Sequence, residues 1–172
     1  MKNALFDAFV YSFNSPVGVI SVTYAPDPFV LTRVILPGED GGNVIPIPDA
    51  RPRPSEKEAF ERIERFFSAY LDRRPVHPPW PLLQIDGFTS LERLVYHKTA
   101  AIDFGDTAAY SAIAKAIGRP GAARFVGNTL GKNPFPIIIP CHRVIRKDGG
   151  LGGFGSGLDM KKKLMAFEGC AV

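Results

Sequence analysis

The chain has 172 residues, enough for one ordinary domain or two small ones packed together. Apolar residues make up 45% and charged residues 22%, the balance of a globular protein, so disorder is not the default reading. Lys and Arg number 21 against 17 Asp and Glu, a net charge of +4 that is compatible with nucleic acid without requiring it.

That excess is concentrated late in the chain. Lys115, Arg119, Arg124, Lys132, Arg143, Arg146, Lys147, Lys161, Lys162 and Lys163 share their stretch with two acids, Asp148 and Asp159. Taken alone, this reads as a solvated basic face. Two cysteines, Cys141 and Cys170, are too few for a disulfide framework or a four-thiolate zinc site, and His77, His97 and His142 lack ligand spacing, so no metal is expected. The N-terminus is interrupted by Asp7 and makes a poor signal peptide; no apolar run approaches membrane-spanning length. A cytoplasmic protein is expected, or a nuclear one where the source has a nucleus, with Cys141 kept as a free thiol.

In chain order, residues 4–36 read as three antiparallel strands. Phe9, Tyr11 and Phe13 alternate, Ser15-Pro16 and Gly18 mark a turn, and Val19–Tyr24 and Val30–Leu36 are apolar and β-branched. Residues 37–54 are a Pro/Gly-rich loop. Ser55 and Glu58 form a capping box opening a helix whose Ala59, Ile63, Phe66, Phe67, Tyr70 and Leu71 recur at helical spacing. Pro75–Pro81 stops it as a linker, which places domains at 1–80 and 81–172. Leu82–Ile85 is a short apolar stretch. Thr89 and Glu92 make a second capping box, leading a helix with Leu91, Leu94 and Val95. Tyr110–Ile117 reads as a short helix capped by Gly118, and Pro120 starts another over Gly121–Leu130. The pair fits a helix-turn-helix or an ordinary αα-hairpin in a core. Pro134, Pro136 and Pro140 forbid a long helix, so Ile137-Ile138-Ile139 reads as a buried strand-like segment. The last helix spans about Leu158–Glu168.

Cys141 lies in Ile-Ile-Ile-Pro-Cys-His-Arg-Val. Flanking His142 and Arg143 favour a thiolate, a soft nucleophile suited to saturated carbon, whereas a lone Cys is more commonly a core residue. The surrounding text decides between them: Tyr-Ser-Ala-Ile-Ala-Lys-Ala-Ile-Gly from Tyr110, Ala-Ala-Arg-Phe-Val-Gly, Asn133-Pro134, Pro-Cys-His-Arg-Val, Gly-Gly-Phe-Gly and Phe-Glu-Gly. Residues 88–169 closely resemble the O6-alkylguanine-DNA alkyltransferase family.

The resemblance implies an α+β fold, with a small ribonuclease H-like N-terminal domain of antiparallel sheet and helix followed by a mostly helical domain carrying a helix-turn-helix. It implies DNA repair by a single irreversible transfer of an alkyl group from O6-alkylguanine, with O4-alkylthymine as a second substrate, onto Cys141. His142 would be the base, through a water because adjacent side chains of an extended segment point apart. Glu168, whose charge at a helix C-terminus opposes the macrodipole, would orient the imidazole. Tyr110 would donate to the departing guanine, and Asn133 would brace the turn before the cysteine. Arg124 would replace the flipped nucleotide in the stack, with Ala122, Ala123 and Gly127 allowing close approach to the groove and Ser111 touching phosphate. Carbonyls of Cys141 and Val144 and an N–H near Gly155 would read the base, with Pro136 and Phe154 as walls. Phe154 stands where relatives commonly carry Tyr, and Gly155 where they carry Ser or Ala. The implied partner is double-stranded DNA bearing O6-alkylguanine, met by a monomer with no cofactor and no membrane. A lesion-binding alkyltransferase-like protein and a Cys-His hydrolase are the competing classes; Cys141 opposes the first, and the DNA-reading helix upstream opposes the second.

Overall fold

The computed structural model describes residues 9–26, 28–39 and 54–170. The strand start at residue 4 and most of the Pro/Gly-rich loop lie outside them. Two compact units meet between Gln84 and Ile85.

In the first unit, β1 (Phe9–Ser15), β2 (Gly18–Pro26) and β3 (Phe29–Ile35) form an antiparallel sheet in chain order. The β1–β2 turn needs Gly18: its φ is +116°, and a Cβ there would meet Pro37 at 2.8 Å. Tyr11 pairs with Val22 and Phe13 with Ile20, which puts alternate side chains on one face. That face receives α1 (Lys57–Leu71), whose Phe60, Ile63, Phe66, Phe67 and Tyr70 are buried. Rings of Tyr11 and Phe60, and of Phe13 and Phe67, lie 4.6 Å apart, so aromatic burial of about 150–250 Å² per ring dominates this core. The side chain of Ser55, where a capping box is expected, lies outside the described residues. A 3-10 turn (Pro54–Glu56) leads in, and the N-cap is Glu56, without a side-chain capping bond. The unit extends past the Pro-rich linker because Gln84 N–H donates to Leu31 O at 2.9 Å and Leu83 bridges Leu31.

In the second unit, α2 (Ser90–Ala100) is opened by the expected capping box, with Thr89 accepting from Glu92 N–H and Glu92 accepting from Thr89 N–H. Val95, Tyr96 and Thr99 turn inward, while Leu94 faces solvent. A two-residue strand β4 (Ala108–Ala109) leads into α3 (Tyr110–Ala116). Gly118, at φ +72°, closes α3 as expected, with Arg119 N–H returning to Ala114 O. The next helix, α4 (Ala123–Leu130), starts later than Pro120, because Ala122 N–H closes a separate turn on Arg119 O.

The segment Ile137–Ile139 is buried but is not a strand. Ile139 N–H donates to Phe135 O, Cys141 N–H donates to Ile139 O, and Ile137 sits at φ +73°. A β-branched residue there costs about 1–3 kcal/mol and persists only where the surroundings over-determine it. After a 3-10 turn over Cys141–Arg143, β5 (Val144–Ile145) pairs in parallel with β4, and α5 (Leu158–Glu168) ends the unit, as expected. The molecule is thus mixed α/β, with a three-stranded antiparallel sheet and five helices among the described residues. None of these helices is long and apolar enough to cross a membrane.

Candidate functional site

Asn133 holds the turns that carry Cys141. Its Oδ1 accepts from Phe135 N–H at 3.0 Å, and its Nδ2 donates to Ile139 O at 2.8 Å and to Cys141 Sγ at 3.1 Å. Three bonds from one amide span the segment that bears the positive-φ isoleucine. Cys141 is 7% exposed, and both cysteines are free thiols.

Behind the cysteine lies a buried charge cluster. His142 Nε2 and Glu168 Oε1 are 2.7 Å apart. Arg143 donates from Nε to Glu168 Oε2 at 2.7 Å, from Nη2 to Oε1 at 3.0 Å and from Nη1 to Ile102 O at 2.6 Å. Burial raises the Glu168 carboxyl, but hydrogen bonds from His142 and Arg143 and their charges outweigh it and bring the group down to about 2. Burial pushes His142 below its usual value against the pull of Glu168, so the imidazole is neutral. His142 Nδ1 is buried without a hydrogen bond to protein. The Cys-His segment is a 3-10 turn and not the extended run expected.

In front of the cysteine opens a pocket of about 1110 Å³. Cys141 and Tyr110 line it, with Ser111, Ala123, Arg124 and Gly127 along one side and Leu151 to Gly155 along the other. Tyr110 Oη donates to Gly153 O at 3.4 Å. Burial, then the charge of Cys141, raises the phenol, which therefore stays a donor. Arg124 is exposed in the first turn of α4. Three expected contributors do not line the pocket: Ala122 is the N-cap of α4, and Pro136 and Val144 are buried in the turn segment and in β5. Gly155 is exposed, and a Cβ on it would meet Gly131 O at an ordinary 3.7 Å.

Sequence reasoning missed the bidentate Arg143–Glu168 pair, the pocket residues Arg146 and Lys147, and Lys161, which is wholly buried. A signal existed for the last. Lys161 falls in the stripe of Met160, Leu164, Met165 and Glu168 that α5 turns inward.

A mixed α/β protein with an Asn–Cys–His–Glu constellation, its Cys, His and Glu buried, beside a basic pocket is the class the geometry defines. Residues 90–170 match the family model described as 6-O-methylguanine DNA methyltransferase, DNA binding domain. A methylated-DNA–protein-cysteine methyltransferase of Methanosarcina acetivorans is 35% identical over 159 residues, covering 91% of this chain and 96% of its own. One from Mycolicibacterium paratuberculosis is 48% identical over 110 residues, 64% of this chain and 63% of that one. Among solved structures, Mycobacterium tuberculosis OGT in complex with DNA superposes with a TM-score of 0.70 at 30% identity, covering 94% of this chain and 92% of that one. The chain belongs to the O6-methylguanine-DNA methyltransferase family.

Proposed function

We propose that this chain repairs DNA by direct reversal, taking the alkyl group of an O6-alkylguanine in duplex DNA onto Cys141 Sγ, once per molecule and without a cofactor. Because Glu168 is ionised, it accepts from His142 Nε2–H, and the Nδ1 lone pair is left as the base. One water between Nδ1 and the thiol carries the proton away. The thiolate attacks the alkyl carbon; the S–C bond forms as the C–O6 bond breaks, and the electron pair passes to the guanine. Tyr110, kept protonated by burial, donates to the ring that receives it. Asn133, donating to Sγ, aims the nucleophile.

A thiol at the floor of a pocket cannot reach O6 in a stacked pair, so the base must flip. We assign α3 and α4 as the helix-turn-helix, with Arg124 filling the gap, Ala122, Ala123 and Gly127 allowing close approach, and Ser111 on phosphate. The Cys141 carbonyl and the Gly155 N–H read the base against Phe154, while Val144, expected to share that task, stays behind the pocket. Pro136 stiffens the turn behind it. We assign the first unit a ribonuclease H-like fold, and the two units are separate domains.

The observation that carries this reading is the placement of Cys141 between the Asn133 amide and the His142–Glu168 pair at the floor of a pocket that Arg124 borders. Cys141→Ser should abolish transfer while duplex binding, read by fluorescence anisotropy, stays within about twofold, since phosphate contacts supply most affinity. A Ser variant that still removes the alkyl group refutes the assignment.

A further inference from the structure

The first unit carries a groove that the repair chemistry does not use. It has a volume of about 540 Å³ and lies between the later turns of α1 and the chain that follows them. The return of that chain is built locally. Arg73 takes φ +56°, its N–H donates to Tyr70 O at 3.0 Å, and Arg74 N–H donates to Ala69 O at 2.8 Å. Pro75, Pro78 and Pro79 then stiffen the segment that forms the second wall. Four basic side chains line the groove, Arg62, Arg65, Arg74 and His77, and no acidic one does. Two of them meet carboxylates from outside it: Arg65 Nη1 lies 3.8 Å from Glu61 and Arg74 Nη2 2.9 Å from Asp72, both pairs in solvent, where such pairs are weak. Arg62 is only part-exposed and, among the described residues, makes no hydrogen bond or ion pair.

We propose that this groove is a second DNA contact, formed wholly by the first unit: its guanidiniums hold backbone phosphates of the duplex, adding affinity without reading sequence or damage. Planar guanidinium forks match the oxygens of a phosphodiester. Phe66, Val76 and the prolines give the groove apolar walls, which strengthen a charge contact by keeping water from it. Duplex DNA, the partner of this family, is a polyanion of that chemistry. A phosphate contact positions and does not specify, so damaged and undamaged duplex should benefit alike.

The test is fluorescence-anisotropy binding of undamaged duplex at salt from roughly 50 to 300 mM, for wild type, for Arg62→Gln/Arg65→Gln and for the control pair Arg33→Gln/Lys57→Gln. The control removes two exposed charges of the same unit from outside the groove. Thermal melts establish that each variant is folded, and two duplexes are used, one that admits a single copy and one that admits several. The groove pair should weaken both duplexes about fivefold or more at roughly 100 mM salt and make the log–log salt slope shallower by about 1 to 2, with the control within about twofold of wild type. Unchanged binding by the groove pair overturns the proposal. Equal losses in the two pairs overturn it as well, since net charge alone would then explain them. A loss confined to the longer duplex also overturns it and gives the groove to a neighbouring copy of the chain. Should the groove pair not fold, Arg74→Gln decides: a slope shallower by about 1 supports the contact, and an unchanged slope overturns it. No outcome depends on alkyl transfer, so failure here leaves the assignment of Cys141 standing.

Discussion

Glu168 ties the chemistry to the stability of the second unit through one carboxylate. Its oxygens accept from His142 and twice from Arg143, all out of water. Glu168→Gln keeps the shape but leaves the Arg143 guanidinium buried without its counter-charge, which should cost about 3 kcal/mol in urea unfolding. The amide NH₂ would also donate to His142 Nε2, moving the ring proton to Nδ1 and removing the base. Single-turnover transfer should fall about 100-fold or more, as when an orienting carboxylate becomes an amide in a serine-protease triad. An unchanged rate in a folded Gln variant would deny His142 its role. The extended segment expected at Cys141 is instead a 3-10 turn, because Pro140 and the carbonyl of Ile139 bend the chain there.

The wall from Leu151 to Gly155 is built around Tyr110. Gly152 has φ +69°, and a Cβ there would lie 2.7 Å from Tyr110 Oη, whereas one on Gly153 meets nothing within 4 Å. Gly152→Ala should therefore displace the phenol and slow transfer by about tenfold or more, while Gly153→Ala leaves it near wild type. Equal effects in single-turnover assays would contradict this geometry. Elements with a local chemical cause were legible: the Thr89 box, the Gly118 cap and the span of α5 all follow from side chains next to the backbone they serve. The triple isoleucine was not, because its conformation is imposed by Asn133 and three prolines against strong strand propensity. Nor were β4 and β5, since two-residue strands paired in parallel 36 residues apart leave no periodic trace.

At the scale of the molecule, charge divides into two populations that sequence alone merges. Of the basic side chains between Lys115 and Lys163, Arg143 and Lys161 are buried at the site, and the remaining eight are exposed and available to phosphate. The buried set also makes the fold sensitive to acid. Glu168 titrates at about 2 instead of 4.5, so its stabilisation is complete above pH 4.5 and is lost as pH falls toward 2. His142, depressed below 6.5, is protonated more readily in the unfolded chain, which lowers stability in the same direction below pH 6.5. Urea midpoints should decline in two stages on acidification, and Glu168→Gln should flatten the lower one. A wild-type midpoint constant between pH 7 and pH 4.5 would contradict the His142 assignment, and one constant from there down to pH 2 the Glu168 assignment.

The central claim is that Cys141 itself becomes the product. After incubation with a short duplex carrying O6-methylguanine, mass spectrometry of the tryptic peptide Asn133 to Arg143 tests it directly. The expected result is a methyl-sized gain on Cys141, matched mole for mole by restored guanine. An unmodified peptide from protein that binds the lesion tightly would contradict self-alkylation and leave a lesion-recognition protein in its place.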